Sequence, residues 1–302
     1  MSLAGAALIG AESILALTPI AIKKTPLDPI SAIWSRVLST AALGYLLTGD
    51  RTLPRGEWAG FAALGGTNLL HIASSYEAFR NLQAGQAMSL LYTYPLWNLV
   101  FGSLFGGEQI RAREFGFMAV AAAGSIMLNM DPGTTAGAAS TPGRKPDTAW
   151  GIFTGLIMAL SESGMHTLLR GLGWTDPAKS VWVVNSSAAL WLGGAIGFQQ
   201  LLGDQDPKMG LRSGTWLDAA WLTAFHGVSM FSGYWLRFYA VPRLSVVTYS
   251  ILSYAGLLAA YLFGLVFLGE RPGWMSLVGA AMIVISGLLL QTGPKKEEQK
   301  PD

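Results

Sequence analysis

Ten stretches of mostly apolar residues follow one another along this chain, at 2–22, 29–48, 57–79, 83–106, 112–130, 148–169, 179–201, 215–238, 244–268 and 273–292. A bilayer core of about 30 Å is crossed by about 20 residues of helix. Lipid offers no partner to an open backbone group, so only helices and closed barrels span it. The pattern therefore predicts an all-α integral membrane protein with ten transmembrane helices. Charge content agrees: 13% of residues are charged and 51% hydrophobic, whereas a soluble domain carries about 25% charged residues. The net charge of +2 leaves no electrostatic footprint for nucleic acid. With no cysteine, disulfides, iron–sulfur clusters and thiol catalysis are excluded.

The first stretch differs from a signal peptide, having no basic leader and carrying Glu12 mid-way, so it reads as a retained helix. Connections are short and hold nearly all the Lys and Arg. Alternate connections plus the C-terminal tail carry eleven of them, Arg237 being counted there, against eight in the other set. The positive-inside rule then puts both termini in the cytoplasm, with the plasma (inner) membrane as the expected location.

The chain also repeats itself. Gly5, Glu12 and Ser13 align with Gly155, Glu162 and Ser163 at a spacing of 150, and Asp28, Pro29 and Trp34 with Asp176, Pro177 and Trp182 at 148. Trp58, Ser74 and Tyr76 match Trp216, Ser232 and Tyr234 at 158. Tyr92, Phe101, Gly107 and Glu108 match Tyr254, Phe263, Gly269 and Glu270 at 162. The order is kept throughout, with small drifts in spacing. Residues 1–130 form one five-helix half and 148–293 the other, joined by a Gly/Pro-rich linker at 131–147 and followed by a charged tail at 294–302. Five spans per half make the halves enter from opposite faces, which is an inverted-topology repeat and the usual scaffold of alternating access.

The stretch Ala78–Met130, with Tyr94-Pro95 and the Gly107-Glu108 turn, resembles the drug/metabolite transporter superfamily, specifically ten-helix members built from two EamA-like halves. The counterpart Val241–Gln291 carries Gly269-Glu270, and Asp28-Pro29 with Arg36 opens the second span in the family's manner. Ala11-Glu12, repeated as Ser161-Glu162, is similar to the Ala-Glu pair of the four-helix multidrug branch, whose carboxylate takes a proton or a cationic drug. Two departures stand out: no Pro near Gln83, and no Pro at Tyr254–Leu257. The resemblance implies a transporter rather than an enzyme, with no cofactor.

Among individual residues, Glu12 and Glu162 lie deep in their spans, where a charge costs about 2.5–3.5 kcal/mol on insertion scales. They suit a proton- and substrate-binding role; the plain alternative is a structural acceptor, Glu12 being held by Arg36. His166 follows Glu162 by four residues on the same helix face, giving a relay, a pore-lining bond or interhelical bonding. Three His on three spans make no metal motif. Arg36 either binds a substrate carboxylate, pairs with Glu12 or snorkels. The pairs Trp34/Trp182, Tyr76/Tyr234 and Tyr92/Tyr254 offer either a cage for an amine or aromatic solute or ordinary packing. Gly102/Gly106, Gly151/Gly155 and Gly193/Gly197 permit close helix contact, and Pro19 and Pro95 interrupt their helices.

The expectation is a proton-coupled secondary transporter of a small-molecule substrate, an amine, quaternary ammonium compound or amino acid, acting as a monomer or homodimer. An exchanger of anionic or neutral metabolites such as sugar phosphates is the alternative within transport, needing several basic residues in its cavity. A non-transporting accessory subunit is the alternative outside it.

Overall fold

A computed structural model describes residues 2–52, 58–82, 84–105, 111–129, 147–201, 209–269 and 273–291. They form α1 (Leu3–Leu15), α2 (Thr18–Lys24), α3 (Pro29–Leu47), α4 (Trp58–Asn81), α5 (Ala84–Leu91), α6 (Tyr94–Phe105) and α7 (Ala112–Asn129). After them come α8 (Thr148–Leu172), α9 (Pro177–Leu201), α10 (Trp216–Ala240), α11 (Val246–Ser253), α12 (Ala255–Phe263) and α13 (Trp274–Gln291). A 3₁₀ turn, Val241–Arg243, prolongs α10, and a π turn, Gly264–Leu268, prolongs α12 to the left-handed Gly269. Extended backbone pairs once among the described residues, in a bridge between Leu27 and Leu211. Residues 131–146, the tail 294–302, Gly107, Glu108 and Glu270 lie outside the described residues.

Local chemistry sets the helix starts. The Ser2 hydroxyl accepts the Gly5 N–H at 3.2 Å, and Asp147 accepts the Trp150 N–H at 3.0 Å. Thr215 and Asp218 form a reciprocal capping box on α10. Pro29 and Pro177 sit at first helical positions, where the missing N–H costs nothing.

Helix runs through the described part of all ten predicted stretches, but three of them are broken. In the first, the break at Ala16 and Leu17 precedes Pro19, whose ring collides with the carbonyl four residues back. That carbonyl, Leu15 O, accepts the Thr18 hydroxyl at 2.5 Å. Pro95 breaks the fourth stretch in the same way. The ninth breaks at Tyr254 without any proline, and two residues on Gly256 faces Tyr92.

Five segments are long and apolar enough to cross a membrane: Leu3–Lys24, Pro29–Leu47, Thr148–Leu172, Pro177–Leu201 and Val246–Phe267. Helices α4 and α10 are long enough but not among them. Their apolar runs are interrupted by buried polar residues, Asn68, His71 and Ser75 on α4 and His226 and Arg237 on α10. Large apolar side chains such as Leu38, Phe153, Leu190, Trp221 and Leu277 are exposed, while four charged ones, Glu12, Arg36, Glu162 and Arg237, are buried.

Helix α1 packs on α10, α4 on α8, and both α3 and α4 on α9, with α10 also against α3. The broken helices α5/α6 lie along α8, and α11/α12 along α1; α6 meets α11, and α7 meets α13. Some contacts reach the backbone itself. A Cβ on Gly44 would stand 2.7 Å from the Trp182 backbone N, and one on Gly65 2.5 Å from the Ser187 backbone carbon. Of the glycines expected at interfaces, Gly151 and Gly155 press on Leu82 and Leu90, and Gly102 on Val246. Gly197 has nothing near it, and Gly106 lies outside the described residues.

Candidate functional site

Four charged side chains are buried among the described residues: Glu12, Arg36, Glu162 and Arg237. They come from α1, α3, α8 and α10, so the packing of α1 and α3 on α10 brings them together. Arg237 is the hub. Its Nε donates to Glu12 Oε1 at 3.0 Å and its Nη2 to Glu12 Oε2 at 2.8 Å, a bidentate pair, while its Nη1 donates to Glu162 Oε1. Paired geometry of this kind is what makes buried charges tolerable.

The two carboxylates are not equivalent. Glu12 also accepts the Tyr92 hydroxyl at 2.8 Å and the Tyr94 hydroxyl at 3.3 Å, so four donors surround it. Glu162 is less saturated. Its Oε2 accepts no hydrogen bond, although His71 Nδ1 lies 3.2 Å away. That imidazole nitrogen also lies 3.1 Å from Met158 O, to which it donates when protonated. On the other side, His166 Nε2 stands 3.4 Å from Glu162 Oε1 and 3.2 Å from the Tyr249 hydroxyl.

A small cavity of about 20 Å³ is bounded by Arg237, His71, Tyr92 and Tyr234, with Arg36 also on its wall and Leu15, Phe79, Met88, Leu91 and Met158 as apolar lining. A second, of about 320 Å³, is bounded by His166, Arg170, Asn98 and Val246. Along α8, Met158 lines the first cavity, Glu162 is on the wall of neither, and His166 and Arg170 line the second. Each step is four residues, so all four share one helix face. Glu162 thus separates the two spaces.

Arg36 does not hold Glu12, contrary to the structural alternative drawn from the sequence. Its Nη2 donates to the Tyr234 hydroxyl at 3.2 Å, and its Nη1 is buried with no hydrogen-bond partner. Nor does it snorkel: it is 2% exposed. The reason lies in packing, because α3 approaches Tyr234 of α10 whereas Arg237, one turn on, reaches α1.

The aromatic pairs divide. Tyr92 and Tyr254 meet, with ring centroids 6.4 Å apart, and Tyr92 also stacks loosely on Tyr94 at 5.8 Å. Tyr234 lies beneath both Arg36 and Arg237. Tyr76 is buried with a free hydroxyl, as is Tyr254. Trp34 and Trp182 are elsewhere: Trp34 rests near Gly193 on α9, and Trp182 meets Tyr45 edge-on at 5.4 Å. They form no cage with the others, because α3 and α9 pack directly on each other and consume those faces.

Sequence reading missed His71, Tyr94 and Tyr249, and counted Arg237 with the connections. Arg237 sits in the last turn of α10, where an arginine reads as a connection residue. The available signal was charge balance: two deep carboxylates require a buried cation, and Arg36 and Arg237 are the candidates.

No curated protein matches the sequence. A solved crystal structure, 18% identical, superposes with a TM-score of 0.69 over 96% of this chain and 95% of its own, a likeness of fold. Two segments, residues 3–130 and 149–292, match the family model described as the EamA-like transporter family.

Proposed function

Because the chain belongs to the EamA-like transporter family, and so is an integral membrane protein of the drug/metabolite transporter type, we propose that it is a proton-coupled secondary transporter moving a small organic solute by alternating access. It is read as non-enzymatic, with both termini cytoplasmic. The observation that carries the proposal is the cluster of Glu12, Arg237 and Glu162, with Arg237 on the wall of the first cavity: two carboxylates share one guanidinium, leaving a place for one proton.

The helix contacts support a ten-helix inverted repeat. Exchange α1/α2 for α8, α3 for α9, α4 for α10, α5/α6 for α11/α12 and α7 for α13. The contact of α4 with α8 then becomes that of α10 with α1, and α4 with α9 becomes α10 with α3. The contacts of α5/α6 with α8 become those of α11/α12 with α1, and α6–α11 becomes α12–α5, while α3–α9 and α7–α13 map onto themselves. A molecule whose contacts survive the exchange of its halves has two related arrangements, one for each face of the membrane.

Within this reading Glu12, bound by four donors, is the fixed member of the centre. Glu162, with an unbonded oxygen beside His71, is the group that gains and loses the proton. His71 and His166 connect it to the first and second cavity respectively.

The test is reconstitution in liposomes enclosing a pH-sensitive dye, with pooled amines, amino acids and organic acids added outside. Solute-dependent proton movement is expected from the wild type and none from Glu162→Gln. Proton movement at the wild-type rate from Glu162→Gln would remove the mechanism.

A further inference from the structure

The charge that the first cavity offers a ligand is positive. Arg36 lines that cavity, is 2% exposed, and keeps Nη1 without a partner, while its other ligated nitrogen reaches only the neutral Tyr234 hydroxyl. Among the described residues it forms no ion pair. The carboxylates, by contrast, are both taken by Arg237. A buried, unpaired guanidinium is costly unless something brings it an anion.

Charge arithmetic limits that anion further. With imidazoles neutral, Glu12, Glu162 and Arg237 sum to one negative charge and Arg36 adds one positive, so the empty site is neutral. A bound monoanion on Arg36 together with a proton on Glu162 is neutral again. The proton alone leaves the site positive and the anion alone leaves it negative, and an unbalanced charge in lipid is heavily penalised. A dianion with one proton leaves it negative, and a zwitterion needs no proton at all. The other titratable groups facing Glu162 or Arg36 are His71 and Tyr76 on α4, His166 on α8, His226 on α10, and Tyr92, Tyr94, Tyr234 and Tyr249, with Arg170 further along α8 on the second cavity.

Resting on the transport reading above, we infer that the substrate is an organic monocarboxylate, bound through Arg36 in the first cavity and moved together with one proton on Glu162 in an electroneutral step. Leu15, Phe79, Met88 and Leu91 give the anion an apolar wall, so its body is a hydrocarbon or an aryl group. In this conformation the cavity is closed down to about 20 Å³, room for about one water, so within the alternating-access reading the anion is admitted when the two halves part.

Four probes with one phenyl body and different charges test this: phenylpyruvate, phenylalanine, phenethylamine and phenyl phosphate. Calorimetric titration of the full chain in detergent is expected to give the tightest binding for phenylpyruvate. Arg36→Gln weakens it by about tenfold or more, the loss of one hydrogen bond to a charged group, while Arg36→Lys retains part and serves as the folding control. Tighter binding of phenethylamine or phenyl phosphate overturns the inference, as does unchanged phenylpyruvate binding by Arg36→Gln or none by the wild type.

In vesicles, phenylpyruvate is expected to carry one proton per anion at a rate insensitive to a clamped membrane potential, and a potential-dependent rate overturns electroneutrality. The two readings fail differently. Proton movement driven by phenethylamine and not by phenylpyruvate removes the anion site and leaves the transporter. Arg36-dependent binding with no probe moving protons removes coupled transport and leaves the site.

Discussion

A Cβ built on Gly256 would stand 1.8 Å from the Tyr92 hydroxyl oxygen, and 3.0 Å from the Glu12 Cβ. The ninth predicted span therefore passes against the group that binds the Glu12 carboxylate, and its break at Tyr254 lies at this approach. Gly256→Ala is expected to drive Tyr92 from Glu12 and to cost about 1–3 kcal/mol by overpacking. Thermal melting in detergent measures it, and Tyr92→Phe added to Gly256→Ala should recover part of the loss.

Arg237→Gln leaves two buried carboxylates without their cation. Breaking a buried pair from one side costs about 3–5 kcal/mol, whereas removing both partners is often nearly neutral. The single variant should melt well below the wild type, and the triple variant Glu12→Gln, Arg237→Gln, Glu162→Gln should melt closer to it. A triple variant no more stable than the single one would show that charge balance is not what holds the centre.

Glu162→Gln imitates the protonated site permanently. The loaded centre stays neutral and can reorient, but the empty centre carries the unpaired Arg36 charge and cannot. Exchange of labelled for unlabelled phenylpyruvate across the vesicle membrane should persist, while net accumulation driven by a pH gradient disappears. Equal loss of both activities would place Glu162 in binding instead.

At the end of α3, Asp50 accepts Lys179 Nζ at 2.5 Å and the Thr52 hydroxyl at 2.6 Å. The Lys179 ammonium and then Thr52 hold its carboxyl below the usual carboxylate range. A depressed value means that the contribution to stability is present above the unfolded-chain value of about 4, and fades as pH falls through the folded one. Both side chains are on the surface, so the effect is small and screened by salt. Melting curves of Asp50→Asn should be less acid-sensitive than those of the wild type, with the difference shrinking at high salt.

Helix content was legible wherever apolar residues run on for twenty positions, and Glu12 and Glu162 announced themselves by depth alone. The partners of those carboxylates were not legible. Arg237 has no counterpart in the first half, since the repeat aligns it with Phe79, and nothing local separates it from an interfacial arginine. His71 faces Glu162 only because α4 packs on α8, a contact 91 residues apart in sequence that no periodicity encodes. Trp34 and Trp182 obeyed the repeat and still missed the centre, because a repeat fixes which helices correspond and leaves open which faces meet.

The Glu12–Arg237 pair also has a consequence for how the chain is made. Glu12 leaves the ribosome early and its cation 225 residues later. Until α10 is inserted, α1 must lodge in lipid a carboxylate costing about 2.5–3.5 kcal/mol on insertion scales, or keep it protonated. The amino-terminal half is thus left electrically unfinished during synthesis, and α10 is the helix whose arrival allows the first one to settle.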